Sequence, residues 1–390
     1  MASEVASLSR LGRFSSSNGT SGNRSHASFM ALALRLARRG LGRTSPNPAV
    51  GAVVVSGGRV VGRGYHRRAG AAHAEVEALR QAGPRARGAT LYVTLEPCNH
   101  VGRTPPCCDA ILKAGVSRVV IAERDPNPVT NGRGINRLRR EGLEVVRGVR
   151  ASEARELNEP FYKAMTVRLP FVIAKVGQSL DGKIATTSGE SRWITSDASR
   201  RVGHQWRSRV DALLIGANTV LQDDPFLSVR GARRRAGYPI KIIVDSRLRT
   251  PPTARLFSAQ SPMPTLIATT VRSKTKQQAF TRRRVEIITL RPSQGRVPLR
   301  QLFRRLARRG IQSILIEGGG EVVASALAER LIDRVVFFIA PLLIGGRTAP
   351  GSVGGRGIPR LARAIRLQEM TCRRVGTDLC VEARVAYPAR

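Results

Sequence analysis

Apolar and polar positions along this chain follow two periods, and together they predict two α/β units. The first unit opens with a helix that begins near Phe29 and ends at Gly40, where apolar residues recur every three or four positions. Two apolar strands joined by a turn at 56–58 follow, and then a helix over 73–82, a strand over 89–95, a helix over 107–114 and a strand over 118–122. Strands and helices that alternate in this way predict a layered α/β domain.

A second α/β pattern begins near residue 171, after a predicted linking helix over 151–170. Apolar strands such as F-V-I-A-K-V, A-L-L-I-G, I-K-I-I-V and S-I-L-I-E are separated in several places by helical segments, which predicts a mostly parallel sheet. The predicted organisation is a disordered extension over 1–28, a first domain over 29–150, the linking helix, and a second domain over 171–390.

The net charge of +39 over 390 residues would ordinarily suggest a nucleic-acid partner. However, only seven of the 66 basic residues are Lys, the Arg residues are spread through every segment, and aromatic residues make up 4% of the chain, too few for a base-stacking surface. We therefore interpret the charge as a bias of composition that also attracts phosphorylated ligands. Apolar runs are shorter than the roughly 18 to 20 residues of a membrane span, so no membrane partner is predicted.

The N-terminal 28 residues are rich in Ser and contain three Arg, a composition that suits an organellar transit peptide as well as a disordered extension. We favour the extension and a cytoplasmic location, with an organellar location as the alternative. Five cysteines form no disulfide framework, which indicates a reducing compartment. The sequence leaves open whether identical chains associate.

The stretch from His73 to Cys107 carries the first candidate chemistry. It reads H-A-E, and about twenty residues later L-E-P-C-N-H-V-G-R-T-P-P-C. His73, Cys98 and Cys107 would supply one nitrogen and two thiolates to a zinc ion, a set of three ligands that leaves a fourth position for water. Glu75, two residues after the histidine, would carry the proton between water and a leaving amine. This order of residues is that of the zinc nucleobase deaminases.

The loop between the two cysteines has eight residues instead of the two of the common deaminase motif. The run P-C-N-H-V-G-R-T-P-P-C resembles that of the bifunctional riboflavin-biosynthesis deaminase/reductase family. The resemblance implies a cytidine-deaminase-like three-layer domain. It also implies substrate contacts from four loops, namely Asn47, His66, His100, Arg103, Asp125 and Asn127. The alternative for the two Asn residues is that they only shape turns beside proline.

Motifs of the second unit resemble the reductase half of the same family. They are K-V-G-Q-S-L-D-G-K, G-E-S-R-W-I-T-S, G-A-N-T-V-L-Q-D-D-P, I-V-D-S and A-P-L-L-I-G-G, in the same order as in the family. Between the last two lies the run I-L-I-E-G-G-G-E. The G-x-G-x-x-G fingerprint is absent from the sequence, but the three glycines between a strand and a helix would offer backbone N–H groups to a diphosphate.

The resemblance implies a dihydrofolate-reductase-like fold, NADPH as cofactor, and Lys175 beside the reacting carbon. Cofactor contacts map to Gly177, Trp193, Thr219, Asp223, Ser246, Gly319, Gly320, Glu321, Val322, Val323, Ala324 and Ser325. Substrate contacts map to Ser191, Arg207, Leu227, Arg230 and Glu317. We expect two of these residues, Arg207 and Arg230, to grip a ribose phosphate. The alternatives are a core aromatic role for Trp193 and a capping role for Asp223.

The predicted protein is a two-domain enzyme of riboflavin biosynthesis with one zinc per chain. Its first domain would deaminate the phosphorylated pyrimidine nucleotide 2,5-diamino-6-(5-phosphoribosylamino)pyrimidin-4-one, and its second would reduce the ribosyl chain with NADPH to a ribityl chain. The alternative is a zinc deaminase that acts on nucleic acid, which would explain the zinc motif and the charge but not the reductase motifs.

Overall fold

The computed structural model describes residues 25–102, 104–230 and 237–388. Most of the predicted N-terminal extension and one predicted substrate contact, Arg103, lie outside the described residues. The first helix begins at His26, three residues before the predicted start. This difference arises because Ser25 adopts the extended conformation of an N-cap, with its carbonyl accepting from the backbone N–H groups of Ser28 and Phe29.

A five-stranded sheet with the order β2-β1-β3-β4-β5 forms the first domain. Its strands are β1 Gly51–Ser56, β2 Arg59–Tyr65, β3 Thr90–Leu95, β4 Arg118–Glu123 and β5 Glu144–Arg147. Its helices are α1 His26–Ala37, α2 Ala74–Ala82, α3 Cys107–Ala114 and α4 Arg133–Arg140. The sheet is antiparallel at β1 and parallel from β3 to β5.

Helices cover both faces of this sheet because its central strands are apolar on both sides. Met30 and Leu34 of α1 pack in one cluster with Val53 and Val120, whereas Ile111 of α3 packs with α2 and α4 in the cluster on the other face. The three-layer arrangement predicted for this domain is confirmed.

Two short helices, α5 Ala151–Leu157 and α6 Glu159–Val167, replace the single linking helix that the sequence predicted. The break falls at Asn158, whose side chain bonds both the N–H of Ala49, at 2.8 Å, and its carbonyl oxygen, at 3.0 Å. Pro160 follows two residues later, and a proline lacks the N–H that a continuous helix would need there. The chain therefore changes direction where it is fixed to the first domain.

The second domain is built on a nine-stranded sheet with the order β10-β9-β8-β7-β11-β6-β12-β14-β13. Its strands are β6 Phe171–Ser179, β7 Ala212–Gly216, β8 Ile240–Val244, β9 Thr265–Thr269, β10 Glu286–Thr289, β11 Ser313–Glu317, β12 Arg334–Ala340, β13 Arg366–Val375 and β14 Asp378–Ala386. Its helices are α7 Asp197–Arg207, α8 Ala217–Asp223, α9 Lys274–Thr281, α10 Leu299–Arg308 and α11 Gly320–Ala328.

The pairing is parallel from β10 through β12 and antiparallel only at β14 and β13, as the sequence pattern predicted. Strands β7 and β11 are buried along their whole length, which agrees with their continuous apolar runs. All the parallel strands run the same way, so the loops after β6, β7, β8 and β11 meet at one edge of the sheet.

The two domains touch at the opposite edge, where β6 and β11 begin. Lys163 of α6 donates to both carboxylate oxygens of Asp333, at 2.8 and 2.6 Å. Gln312, just before β11, donates through Nε2 to the carbonyl oxygen of Pro46 at 2.8 Å. Half-buried Glu159 pairs with Arg334, at 2.9 Å, and with Arg384. Lys163 and Glu159 therefore fix α6 to the second domain, and Gln312 links that domain to the first. Among the described residues, no helix combines the length and apolar character that crossing a bilayer requires.

Candidate active sites

Three elements bring the predicted zinc ligands together in the first domain. His73 is the N-cap of α2, Cys98 lies in the loop after β3, and Cys107 is the first residue of α3. His73 Nδ1 lies 3.1 Å from the Cys107 sulfur and 3.6 Å from the Cys98 sulfur. A tetrahedral zinc with ordinary Zn–S and Zn–N bonds places such atoms about 3.5 Å apart. The three donor atoms lie within 4.8 Å of one another, so the residues fit a zinc ion.

The charge state of the cluster also suits a cation. The pKa of the Cys98 thiol falls to about 4, chiefly because the Cys107 thiol donates a hydrogen bond to it and also because His73 lies beside it. The same contact with Cys98, together with burial, raises the pKa of Cys107. Cys98 is therefore the more readily ionised of the two thiols, and a divalent cation binds such ligands in their deprotonated form. Thr104 Oγ1 lies 3.3 Å from His73 Nε2 and holds the ring in this orientation.

Glu75 lies in the first turn of α2 and is buried beside this cluster. Burial raises the pKa of its carboxyl group, although the positive charge of His73 works in the other direction. Its side chain reaches the Cys107 thiol, so it lies next to the ligand set. A carboxyl group with a raised pKa in this place can accept and return a proton.

Asn47 and His66 form one wall of the same pocket. The His66 ring lies 5.2 Å from the ring of His73, edge to face. Its Nδ1 lies 3.2 Å from the carbonyl oxygen of Ala72 and must carry the hydrogen, so its Nε2 accepts from Asn47 Nδ2 at 3.2 Å. Burial lowers the pKa of His66, in agreement with a neutral ring. The Asn47 side-chain oxygen then remains to receive a hydrogen bond from a ligand.

Asp125 and Asn127 lie in a loop that a residue missed by the sequence interpretation holds in place. The buried carboxylate of Glu96 accepts four backbone N–H groups, from Asp125, Gly132, Gly134 and Ile135, at 2.9 to 3.3 Å. Glu96 was visible in the L-E-P-C motif, but nothing in the sequence shows that its partners lie some 30 to 40 residues further on.

The carboxyl group of Asp125 is itself buried, and burial raises its pKa to about 6. His100 lies near enough to favour the charged form of Asp125, and its own Nδ1 is buried with no hydrogen-bond partner among the described residues. His100 therefore offers a ring nitrogen that a ligand can satisfy, whereas the Asp125 carboxylate already accepts the backbone N–H of Asn127 at 2.8 Å.

The second site lies at the edge of the nine-stranded sheet where β6 and β11 end. Glu317, the last residue of β11, accepts two hydrogen bonds from the Arg207 guanidinium, at 2.6 and 2.7 Å, and lies 3.9 Å from the Lys175 amine on β6. Burial lowers the pKa of Lys175, while Glu317 raises it. Despite its own burial, the pKa of Glu317 falls to about 2 because of the two cations. All three nitrogens of the Arg207 guanidinium are engaged. Its Nε and Nη2 donate to Glu317, and its Nη1 donates to the Ser228 carbonyl oxygen at 2.8 Å.

Arg207 was expected to grip a ribose phosphate together with Arg230, and here its guanidinium is bonded within the chain, so that role stays a prediction. Arg230 remains exposed, with its Nε donating to Ser228 Oγ at 3.1 Å and its backbone N–H to His204 Nδ1 at 3.2 Å. Leu227 packs its side chain in an apolar core cluster, so only its backbone is available to a ligand.

The turn from β11 into α11 has the form that a diphosphate needs. Gly318 and Gly319 have φ angles of 77° and 80°, which glycine adopts without strain. A Cβ atom on Gly320 would lie 2.5 Å from the Gly351 carbonyl oxygen, so the third glycine is required by close approach. Thr219 of α8 lies against this turn, and the remaining residues to Ser325 form the first turns of α11.

The other predicted contacts border the same edge. Ser191 Oγ donates to the Asp223 carboxylate at 2.6 Å, which joins a predicted substrate contact to a predicted cofactor contact. Trp193 is 69% exposed, with the Arg200 guanidinium 4.3 Å from the ring centre, so the core role considered for it is wrong. Gly177 lies where a Cβ would be 3.1 Å from Thr195.

Both sites correspond to families with known members. Residues 23–123 match the cytidine and deoxycytidylate deaminase zinc-binding region, and residues 170–381 match the RibD C-terminal domain. The chain is therefore of the class that joins a zinc-dependent deaminase to a reductase in one polypeptide.

Relatives extend this similarity to almost the whole chain. Riboflavin biosynthesis protein RibD from Aquifex aeolicus is 43% identical over 90% of this chain and 96% of its own, and that from Escherichia coli is 42% identical over 90% and 97%. The solved structure of Acinetobacter baumannii RibD has a TM-score of 0.84 at 37% identity and covers 93% of this chain and 99% of its own. The chain belongs to the RibD family of riboflavin biosynthesis proteins.

The protein is thus a bifunctional enzyme of riboflavin biosynthesis that uses zinc in its deaminase domain and NADPH in its reductase domain. The predicted fold class is confirmed for both domains. The nucleic-acid deaminase considered as an alternative does not account for the reductase domain and is set aside.

Proposed function

We propose that the protein removes the 2-amino group of 2,5-diamino-6-(5-phosphoribosylamino)pyrimidin-4-one and then reduces the ribosyl chain of the product to a ribityl chain. A Thermotoga maritima structure with a TM-score of 0.79 at 34% identity, which covers 93% of this chain and 99% of its own, is named as a diaminohydroxyphosphoribosylaminopyrimidine deaminase and 5-amino-6-(5-phosphoribosylamino)uracil reductase. The observation that carries the proposal is the pair of sites: a His/Cys/Cys cluster beside buried Glu75, and a half-buried Lys175 beside buried Glu317.

In the first reaction His73, Cys98 and Cys107 hold the metal, and Glu75 moves the proton. Zinc, when bound, supplies a Lewis acid that makes water a nucleophile near neutral pH. Glu75 accepts the proton of the attacking water and delivers it to the leaving amino group, which departs as ammonia. Burial of its carboxyl group supports this role because it raises the pKa toward the working pH.

The pyrimidine would lie against His66 and Asn47, with the side-chain oxygen of Asn47 accepting from the ring. His100 and the loop of Asp125 and Asn127 would bind the ribose phosphate end together with Arg103, a residue outside the described structure. Support comes from the Nδ1 of His100, which has no hydrogen-bond partner within the described part of the chain and which a ligand oxygen or nitrogen would satisfy.

In the second reaction Lys175 is the proton donor for the ribose oxygen that is released when the sugar ring opens. NADPH, when bound, supplies the hydride. The turn from Gly319 to Ser325, with Thr219 and Ser246, would hold its phosphates, while Gly177, Trp193 and Asp223 would border the nicotinamide. Glu317 orients Lys175, and Arg207 keeps Glu317 ionised. Ser191 and the backbone of Leu227 would contact substrate, and exposed Arg230 would bind its phosphate.

The test is to incubate the purified protein with the diaminopyrimidinone nucleotide, with and without NADPH, and to identify products by mass. Without NADPH only the deaminated product should form, and with NADPH the ribityl product should follow. A product reduced before it is deaminated would contradict the proposed order.

Matched variants assign the two steps to the two sites. Glu75→Gln should stop ammonia release but still reduce substrate that has already been deaminated, whereas Lys175→Met should stop at the deaminated product. Loss of both activities in either variant, with folding preserved by circular dichroism, would contradict two separate sites.

We propose that the functional boundaries follow the cores: a deaminase domain to residue 150, a reductase domain from residue 171, and α5 and α6 between them.

We also propose that identical chains associate through β13. Residues 366–374 of this strand are all exposed, including Met370 at 66%, and β14 is its only strand partner among the described residues. Such an edge is a template for pairing with another strand. Light scattering on the purified protein and on a Met370→Lys variant would test it. A dimer unaffected by the substitution, or a monomer in both, would contradict this surface. The compartment in which the enzyme works stays a prediction.

A further inference from the structure

A short loop before α10 joins two separate parts of the proposed NADPH site. The backbone N–H of Val297 donates to Ser246 Oγ at 3.0 Å. The neighbouring residue, Arg296, directs its guanidinium to Glu321, at 3.1 Å, and to Ser325 Oγ, at 3.5 Å. Arg296 therefore lies between the serine after β8 and the first turns of α11, although the sequence interpretation did not single it out.

The edge of the sheet beside this loop carries positive charge. Exposed arginines follow β8, β9 and β10 in turn, namely Arg247, Arg249, Arg272 and Arg291. The acidic residue after β8, Asp245, is buried, and one of its carboxylate oxygens accepts both the N–H and the hydroxyl of Thr250 at 2.7 Å. It therefore does not face a ligand. An acid at the adenosine end of a dinucleotide site selects the free 2′-hydroxyl of NADH, whereas an arginine accommodates the 2′-phosphate of NADPH.

We propose that Arg296 selects NADPH over NADH by binding the 2′-phosphate, with Ser246 as a neutral donor beside it. The inference rests on the proposed placement of the cofactor at the turn of α11. Because Ser246 Oγ accepts from Val297, its own hydrogen is free to be donated to a phosphate oxygen. Arg296 adds the charge that a phosphate carries and a ribose hydroxyl lacks.

A ligand can replace Glu321 as the partner of Arg296 while Glu321 keeps its own position. The ion pair with Glu321 is open to water, with 63% and 51% of the two side chains exposed, and exposed pairs of this kind contribute little free energy. The other oxygen of Glu321 accepts the backbone N–H of Gly355 at 2.9 Å, so the carboxylate stays in place when the guanidinium turns away. The phosphate then replaces Glu321 as the partner of the guanidinium.

Binding measurements with the zinc-loaded full-length protein separate this role from effects on catalysis. The ligands are NADPH, NADH, adenosine 2′,5′-bisphosphate and adenosine 5′-monophosphate, titrated by calorimetry or by competition. Arg296→Ala should weaken the two ligands with a 2′-phosphate by about 10- to 100-fold, the worth of one charge-assisted contact, and leave the other two unchanged. Arg296→Lys should recover part of the loss. The control Arg283→Ala removes the same charge from an exposed residue before β10, at the opposite edge of the sheet, and should change none of them.

Two outcomes would overturn the inference: unchanged affinities in Arg296→Ala, or equal weakening of NADPH and NADH, which would place Arg296 on the diphosphate. A Thr219→Val variant shows whether such a result concerns Arg296 alone or the proposed position of the cofactor. Thr219 lies against the diphosphate turn, so this substitution should weaken the binding of NADPH and NADH alike. If Thr219→Val also had no effect, the placement of the cofactor itself would be wrong.

Discussion

Lys175 lies near Glu317 and Arg207, which shift the pKa of its amine in opposite directions. Removal of either neighbour should therefore shift the pH dependence of the reduction in a direction, and by an amount, that can be predicted. Burial is the main reason that its pKa is lowered; Glu317 raises it and Arg207 lowers it further. If Lys175 must be protonated to act, the reduction rate falls as pH rises through its pKa. Glu317→Gln should move that fall to lower pH, whereas Arg207→Met should move it to higher pH.

The size of the effect follows from the geometry. Two unit charges separated by the 3.9 Å between the Lys175 amine and the Glu317 carboxylate interact by about 4 kcal/mol at an effective dielectric constant of roughly 20. Arg207 shares the same carboxylate through two short hydrogen bonds, so only part of this energy acts on Lys175, of the order of 1 to 2 kcal/mol. At a fixed pH on the falling limb, the rate should change by about tenfold.

The assay is NADPH oxidation, followed by nicotinamide absorbance, on substrate that has already been deaminated, from neutral to alkaline pH. Arg201→Met serves as the control because it removes a positive charge from an exposed residue of the same helix and should leave the profile unchanged. Arg207→Met also leaves a buried carboxylate without its main partner, which costs about 3 to 5 kcal/mol of stability, so folding must be checked first. Profiles that move in the same direction in both variants would refute the charge assignment, as would an unchanged profile in Lys175→Met.

Further predictions concern the deaminase domain. The protein should bind about one zinc per chain by metal analysis, and Cys107→Ser should lose both zinc and ammonia release; retained metal would exclude Cys107 as a ligand. Glu75→Gln should keep its zinc and lose roughly 10²- to 10⁴-fold of the deamination rate, and loss of metal would make Glu75 a ligand instead. Glu96→Gln should lower the free energy of unfolding by about 2 to 4 kcal/mol, because an amide group would face N–H groups that now donate to oxygen. Asp125 has a folded-state pKa of about 6, above its ordinary value of 3.8. Between pH 3.8 and about 6, its carboxyl group is therefore protonated in the folded protein and ionised in the unfolded chain. Stability should therefore fall by up to about 3 kcal/mol as pH rises through that window. Asp125→Asn should abolish this fall in denaturant titrations, and an unchanged pH dependence would refute the raised pKa.

The zinc ligands could be predicted from the sequence because their placement follows local rules. A histidine at the start of one helix and a cysteine at the start of another lie at the same edge of a parallel sheet once the strands between them are recognised. The role of Glu75 as proton carrier could be predicted because Glu75 stands two residues after His73, as in the deaminase motif. The three-glycine turn was predictable for the same reason, since Gly318 and Gly319 adopt conformations that belong to the turn itself.

Contacts between distant segments could not be predicted in this way. Arg207 and Glu317 are 110 residues apart, and nothing local shows that the arginine bonds a carboxylate of its own chain. Arg296 was missed because it lies in a loop without a motif. The break at Asn158 was missed because its cause is a pair of hydrogen bonds to Ala49, 109 residues away.

The contact between Gln312 and Pro46 indicates how far apart the deaminase and reductase sites of one chain lie. Gln312 comes immediately before β11 and touches the loop that carries Asn47 of the deaminase pocket, whereas Glu317 ends the same strand in the reductase site. Five residues of strand span roughly 16 Å, and the body of the sheet lies between the two ends. We therefore predict that a nucleotide deaminated at one end leaves its pocket before it reaches the reductase site at the other end. A mixture of Glu75→Gln and Lys175→Met chains should then yield the ribityl product, because the intermediate released by one molecule is as accessible to its neighbour as to itself.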